Sequence, residues 1–298
     1  DRLARKSGKI YIPRVIEAPH INKLLESETH GMEPVMTGVS KEWNDADNPL
    51  ELRFTPGRLD SFHFGPDTST LRPLQEDEVR ISVKGTGINF KDVIVALNQV
   101  NDDHIVQDFA GTVIQTGTTS NITLCLGGRS HVMKILDWMP FTEACAIPVA
   151  YATAQYGLCH LFRLKPGEHI LIHAAAGAVG QAAIQIAQRI TATIYVTVST
   201  SEEKELLMNR YGIESSHFFS SRHISFAQQI MQKTSGRGVD VILNSLSGQA
   251  LAECWRCLTA FGRFIEICNR DINTFKTLPM EPFQRNVSFF SLDVAQHT

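Results

Sequence analysis

Between Thr142 and about Arg270 the chain alternates short apolar runs with amphipathic stretches. His169–His173, Thr193–Val198, Val239–Asn244 and Gly262–Ile267 are apolar enough on both faces to read as buried strands. Val179–Arg189, Glu202–Tyr211, Phe226–Lys233 and Leu251–Leu258 carry apolar residues along one side and read as helices. A longer helix is expected over Glu143–Leu158, and His217–Phe219 is a short segment between helices. Repeated βα units of this kind predict a parallel, doubly wound sheet with right-handed crossovers, the α/β class.

The preceding part of the chain has a different period. Leu50–Phe54, Glu78–Lys84 and Asp108–Ile114 are predicted strands, the first two alternating apolar with polar positions. Gly85-Thr86-Gly87 is expected to end the second strand, and Asn89–Leu97 to form a short helix. Before them, Lys9–Val15 reads as a strand and Ile21–Glu26 as a short helix. A polar, turn-rich stretch from Glu33 to Pro49 follows, suited to a linker or edge element.

One strand-to-helix passage carries candidate chemistry. His169–Ala187 runs from strand to helix through small residues, leaving the helix's first N–H groups and its positive dipole end facing outward, a geometry that binds phosphate. A G-x-G-x-x-G turn places its small residues here at Ala175, Gly177 and Gly180, with Ala178 and Val179 between. Gly177 then lets backbone approach a pyrophosphate and Gly180 lets helix pack on strand. The alternative is a tightly packed corner that binds nothing.

Composition adds exclusions. Hydrophobic residues at 43% and charged residues at 20% are ordinary for a globular chain, and a net charge of −3 gives no nucleic-acid footprint. No apolar segment approaches the roughly 20 residues that span a bilayer, and the first residues lack a signal-peptide core, while the cysteine usage fits a reduced, cytoplasmic setting. The six cysteines are scattered; Cys254 and Cys257 read as helix neighbours rather than a metal or redox pair.

Taken in order, GINFKDVIVAL at 87–97, DFAGTV at 108–113, HAAAGAVGQAAIQIA at 173–187, FFSSR at 218–222 and TSGRGVDVILNSLSG at 234–248 resemble the medium-chain dehydrogenase/reductase superfamily. Within it the chain is most similar to enoyl reductase domains of fungal highly reducing polyketide synthases, a likeness that MEPFQRNVSFFSLDV at 280–294 shares. In that superfamily Ala174–Gly180 matches the AAxGxxG turn, so Ala175 is regular there.

The resemblance implies a Rossmann sheet beside a GroES-like β module, with NADPH between them. By domain, it implies a linker over 1–48, a GroES-like module over 49–147, the cofactor domain over 148–272 and a return toward the module over 273–298. The implied reaction is reduction of an α,β-unsaturated thioester on an acyl carrier protein, hydride going to the β-carbon and a proton to the α-carbon. Neighbouring synthase domains are implied partners, and dimeric relatives point to a homodimer. Lys91, Thr153 and Asp293 are the implied catalytic residues, with Asn89, Asn244, Ser245 and Leu246 beside the cofactor. Ser199-Thr200 stands where an NAD enzyme places an acid for the ribose 2′-hydroxyl. Ser199, Lys204 and Arg222 suit a 2′-phosphate, though Lys204 also reads as a solvated helix lysine. Asn89 and Gln107-Asp108 fill the slots where related dehydrogenases carry zinc ligands, so no metal is expected.

The chain departs from the family pattern in places. Ala178 replaces a usual glycine, which a negative φ tolerates. Ile94 and Asn269 replace a tyrosine and a lysine proposed elsewhere as proton donors, and the stretch 123–134 is short enough to leave the β module one strand incomplete. Two alternatives stay open: an inactive pseudo-enoyl-reductase serving as scaffold or dimer contact, and a free-standing quinone oxidoreductase.

Overall fold

The computed structural model describes residues 4–6, 9–11, 50–67, 73–75, 78–99, 105, 108–116, 124–128 and 131–294. Two units divide the chain, Asp1–Pro49 and Leu50–Thr298. In the first, β1 (Ala4–Lys6) and β2 (Lys9–Tyr11) pair antiparallel, Ala4 opposite Tyr11. The strand expected over Lys9–Val15 is described only to Tyr11. The helix expected over Ile21–Glu26 and the linker after it lie outside the described residues.

The second unit opens with a hairpin of β3 (Leu50–Thr55) and β4 (Arg58–Pro66). β5 (Val79–Gly87) and β6 (Asp108–Thr116) pair antiparallel, with α1 (Phe90–Ala96) between them in sequence. β5 does not stop before Gly85 as expected; it runs on to Gly87. These glycines allow close packing, since a Cβ on Gly85 would stand 3.2 Å from the Phe141 carbonyl oxygen. The short stretch after β6 supplies a hairpin, β7 (Leu124–Gly128) and β8 (His131–Lys134), extending the sheet in the order β5-β6-β7-β8. This sheet is open, with β5 and β8 at its edges among the described residues.

The single helix expected over Glu143–Leu158 is corrected by the structure to α2 (Phe141–Ala144), α3 (Pro148–Gln155) and a π-helical turn at Tyr156–Leu161. Proline is the reason. Pro148 donates no N–H and sterically blocks the turn before it, but its fixed φ suits the first turn of a new helix.

The parallel sheet follows. In chain order it is built from β9 (His169–Ile172), α4 (Ala178–Ile190), β10 (Thr193–Val198), α5 (Ser201–Tyr211), β11 (Phe218–Ser220) and α6 (Ser225–Lys233). Then come β12 (Val239–Asn244), α7 (Gln249–Arg256), β13 (Leu258–Glu266), α8 (Arg270–Asn273) and β14 (Ser288–Ser291). The strand order is β11-β10-β9-β12-β13-β14, and every neighbouring pair is parallel. β13 starts at Leu258 rather than the expected Gly262, with a register irregularity between Val239 and Val241 on its partner.

Two cores sandwich this sheet, and the pleat sorts residues between them. Ile170, Ile172, Val196, Val241 and Leu243 join one core with Leu158 and Ala183, while Leu171, Tyr195, Ile242 and Phe264 join the other with Trp255 and Phe226. Strand order reverses between β9 and β12, so the crevice beyond their C-terminal ends is where such sheets place ligands. Among the described residues no helix is long and apolar enough to cross a membrane.

Candidate active site

The turn from β9 into α4 is stitched to both neighbouring strands. The His173 N–H donates to the Leu243 carbonyl at 3.1 Å and the Ala175 N–H to the Thr197 carbonyl at 3.3 Å. Ala174 takes a left-handed φ of +46°. Gly177 caps α4 with a φ of −73°, so its lack of a side chain serves space rather than backbone twist. Ala178 begins the helix and is absent from the left-handed residues, so its methyl group is tolerated. Gly180 is the packing glycine: a Cβ there would stand 2.6 Å from both Ala174 O and Ala175 Cα. Gly177 and Ala178 are exposed, Val179 is half-buried and Ala175 is buried, so the turn offers backbone to the crevice and small side chains to the core.

At the end of β10 lies a recess of about 560 Å³. Ser199, Lys204 and Arg222 all line it, brought together from the strand end, from α5 and from the segment after β11. The Lys204 Nζ stands 5.4 Å above the Phe218 ring and 3.5 Å from the Ser215 carbonyl. Arg222 is exposed, and its backbone N–H donates to Ser220 Oγ at 3.2 Å. Sequence reasoning missed Glu203, which accepts the Ser199 N–H at 2.6 Å. The signal was present: Thr200 to Glu203 has the T-x-x-E form of a capping box.

The end of β12 is organised by a second missed acid. Glu266 is fully buried, accepting from Asn244 Nδ2 and from the Cys268 N–H, each at 2.6 Å. Burial pushes its pKa up to about 8 despite those donors. Asn244 also donates to the Leu246 carbonyl at 2.7 Å, so Asn244, Ser245 and Leu246 form one braced loop. Ser245 Oγ is buried and has no hydrogen-bond partner among the described residues. Next to this, His173 is 2% exposed, with Nδ1 2.9 Å from Thr197 Oγ1 and Nε2 2.9 Å from Cys254 Sγ. Burial drives its pKa down to about 3 and pushes the Cys254 thiol well up, so the pair is neutral. Cys254 and Cys257 are both buried and free, on α7 and at its C-cap.

The three candidate catalytic residues stand on separate elements. Lys91 is half-buried on α1, Thr153 is 7% exposed on α3, and Asp293 follows β14. Asp293 accepts from Asn269 Nδ2 at 3.3 Å, and Ser291 Oγ donates to Asn269 Oδ1 at 3.4 Å, so the amide in the lysine slot bridges two polar side chains. Asn89 caps α1: its Nδ2 donates to Asp108 at 2.9 Å, while its N–H donates to Asp92 at 2.6 Å. Asp108, 1% exposed, also accepts the Val149 N–H at 3.2 Å and so ties α1, β6 and the start of α3 together. Burial raises its pKa.

Asp108→Ala would strand the half-buried Asn89 amide and a helix N–H, and we expect a loss of about 2 kcal/mol. Urea denaturation of the two proteins checks it. Gln107 lies outside the described residues. Asn89 and Asp108 are hydrogen-bonded to each other, and among the described residues no three His, Cys, Asp or Glu side chains converge.

Known proteins resemble this chain in sequence and fold. A family model described as zinc-binding dehydrogenase matches residues 178–294. The chain is 40% identical over 310 residues to highly-reducing polyketide synthase 1 of Aureobasidium melanogenum, covering 98% of this chain and 14% of that protein. It is 39% identical over 312 residues to the highly reducing polyketide synthase azaB of Aspergillus niger, covering 98% of this chain and 12% of that one. The chain thus spans a small part of these relatives. Among solved structures, the CurK enoyl reductase superposes with a TM-score of 0.73 at 32% identity, over 84% of this chain and 82% of that one. The CurF ER cyclopropanase of the curacin A biosynthetic pathway gives a TM-score of 0.74 at 26% identity, over 83% and 82%. With its six-stranded parallel sheet and partial GroES-like β module, the chain belongs to the polyketide synthase enoyl reductases of the medium-chain dehydrogenase/reductase superfamily.

Proposed function

We propose that the chain is the enoyl reductase of a fungal polyketide synthase, reducing an α,β-unsaturated acyl thioester held on an acyl carrier protein with NADPH. The observation that carries this reading is the recess at the end of β10, where two cations and a serine meet. In this reading residues 148–272 hold the cofactor, and 49–147 with 273–298 supply the substrate side.

The residues suit that cofactor. Gly177 and the first N–H groups of α4 would take the pyrophosphate, where a side chain at 177 would narrow the approach. Ser199, Lys204 and Arg222 would take the 2′-phosphate. Ser245 Oγ, buried and without a hydrogen-bond partner among the described residues, and the Asn244–Leu246 loop would face the nicotinamide amide. When bound, the reduced nicotinamide supplies a hydride; the chain's own residues orient the thioester and manage charge and proton. Lys91 would stabilise negative charge growing on the thioester oxygen, and Asp293, placed by Asn269, would handle the proton. Thr153, buried on α3, would position the carbonyl.

The test is direct binding. Lys204→Ala is expected to raise the NADPH Kd roughly thirtyfold while leaving the NADH Kd within about twofold, the loss of one charge-assisted contact. Equal weakening of both cofactors would show that Lys204 does not meet the 2′-phosphate.

A further inference from the structure

We infer that Glu203 is a specificity-determining residue, one that limits how strongly the recess favours a 2′-phosphorylated nicotinamide cofactor over one with a free 2′-hydroxyl. The inference rests on the cofactor reading above. Thr200 is the N-cap of α5, and its Oγ1 accepts the Glu203 N–H at 3.2 Å, turning the first helical turn back toward the end of β10. Glu203 Oε2 accepts the Ser199 N–H at 2.6 Å, and both carboxylate oxygens stand 2.9 Å from Ser199 Oγ. An anion of the chain itself therefore occupies both donors that Ser199 offers.

An incoming phosphate must displace those contacts and then lie beside a carboxylate, and both costs fall on the phosphorylated cofactor alone. A 2′-hydroxyl instead donates to the carboxylate and leaves the Ser199 bonds intact. Lys204 and Arg222, which line the recess, pull the other way. Glu203 does not itself line the recess but reaches it through Ser199, which does; Glu202 lines it but is exposed, so solvent and salt weaken its charge. Half-buried Glu203 is the acid that counts, and the preference is a balance between one acid and two cations.

Glu203→Gln tests this, because the amide oxygen can still accept the Ser199 N–H while the charge is gone. NADPH and NADH are titrated into the whole chain by fluorescence, with Arg222→Ala measured alongside. The expected result is a roughly tenfold shift of the Kd ratio toward NADPH in Glu203→Gln, shrinking as salt is raised, with thermal stability nearly unchanged. An unchanged ratio, while Arg222→Ala still weakens NADPH selectively, would overturn the role of Glu203 alone. If neither Arg222→Ala nor Lys204→Ala weakens NADPH binding, the recess does not hold the 2′-phosphate, and the cofactor reading and the role of Glu203 fall together.

Discussion

Gly180→Ala is expected to destabilise the chain by about 3 kcal/mol, the upper end for an inserted methyl group. The added carbon would stand 2.6 Å from Ala174 O, 2.6 Å from Ala175 Cα and 2.7 Å from Ala175 O. All three atoms are backbone, so no rotamer change relieves the clash. Nor can the turn shift cheaply, because the Ala175 N–H is bonded to Thr197 on β10 and the His173 N–H to Leu243 on β12. α4 would have to move away from β9, opening the core around Ala182, Ala183 and Ile184. Gly177→Ala is the control. Its Cβ would meet only the Ala174 carbonyl oxygen, at 3.2 Å, and Gly177 lies exposed at the helix start. We expect it to cost under about 1 kcal/mol and to act on cofactor binding instead. Urea denaturation ranks the two; equal stability losses would contradict the packing role assigned to Gly180.

Stability should also depend on pH through two buried groups with opposite signs. His173 has its pKa lowered from 6.5 to about 3, so the stability it confers is complete above pH 6.5 and is lost as pH falls toward 3. Glu266 has its pKa raised from 4.5 to about 8, so its contribution is complete below pH 4.5 and is lost as pH rises toward 8. Each limb has a limiting slope of about 1.4 kcal/mol per pH unit. Between 4.5 and 6.5 the slopes cancel, giving a plateau of greatest stability from these two groups. Glu266→Gln removes the alkaline limb and His173→Gln the acid limb. Denaturation midpoints measured across pH for both variants check this, and an alkaline limb that survives Glu266→Gln would assign it to another group.

How much of this was legible in the sequence follows from where each residue gets its constraint. β10 and β12 have the bounds expected from their apolar runs, Thr193–Val198 and Val239–Asn244, because a strand buried on both faces has no polar interruption to blur its ends. Ser199, Lys204 and Arg222 could be placed near one another because a parallel sheet brings the C-terminal ends of adjacent strands together. The break at Pro148 was equally local, yet the apolar residues on either side masked it. Glu203 was hidden by its neighbours: in Ser201-Glu202-Glu203-Lys204 every residue suits a solvated helix start, and the T-x-x-E pattern names which one turns inward. Glu266 and Asp108 could not be read this way. Their partners lie 22 and 19 positions away in Asn244 and Asn89, and only strand pairing and helix placement bring them together.

The most direct measurement is consumption of NADPH by the whole chain with an enoyl thioester as substrate, a crotonyl group on an acyl carrier protein. The expected result is loss of the reduced nicotinamide absorbance only when the enoyl thioester is present, with the saturated acyl thioester as product. Tight NADPH binding without thioester-dependent consumption, or consumption with a quinone in its place, would contradict the proposed reaction.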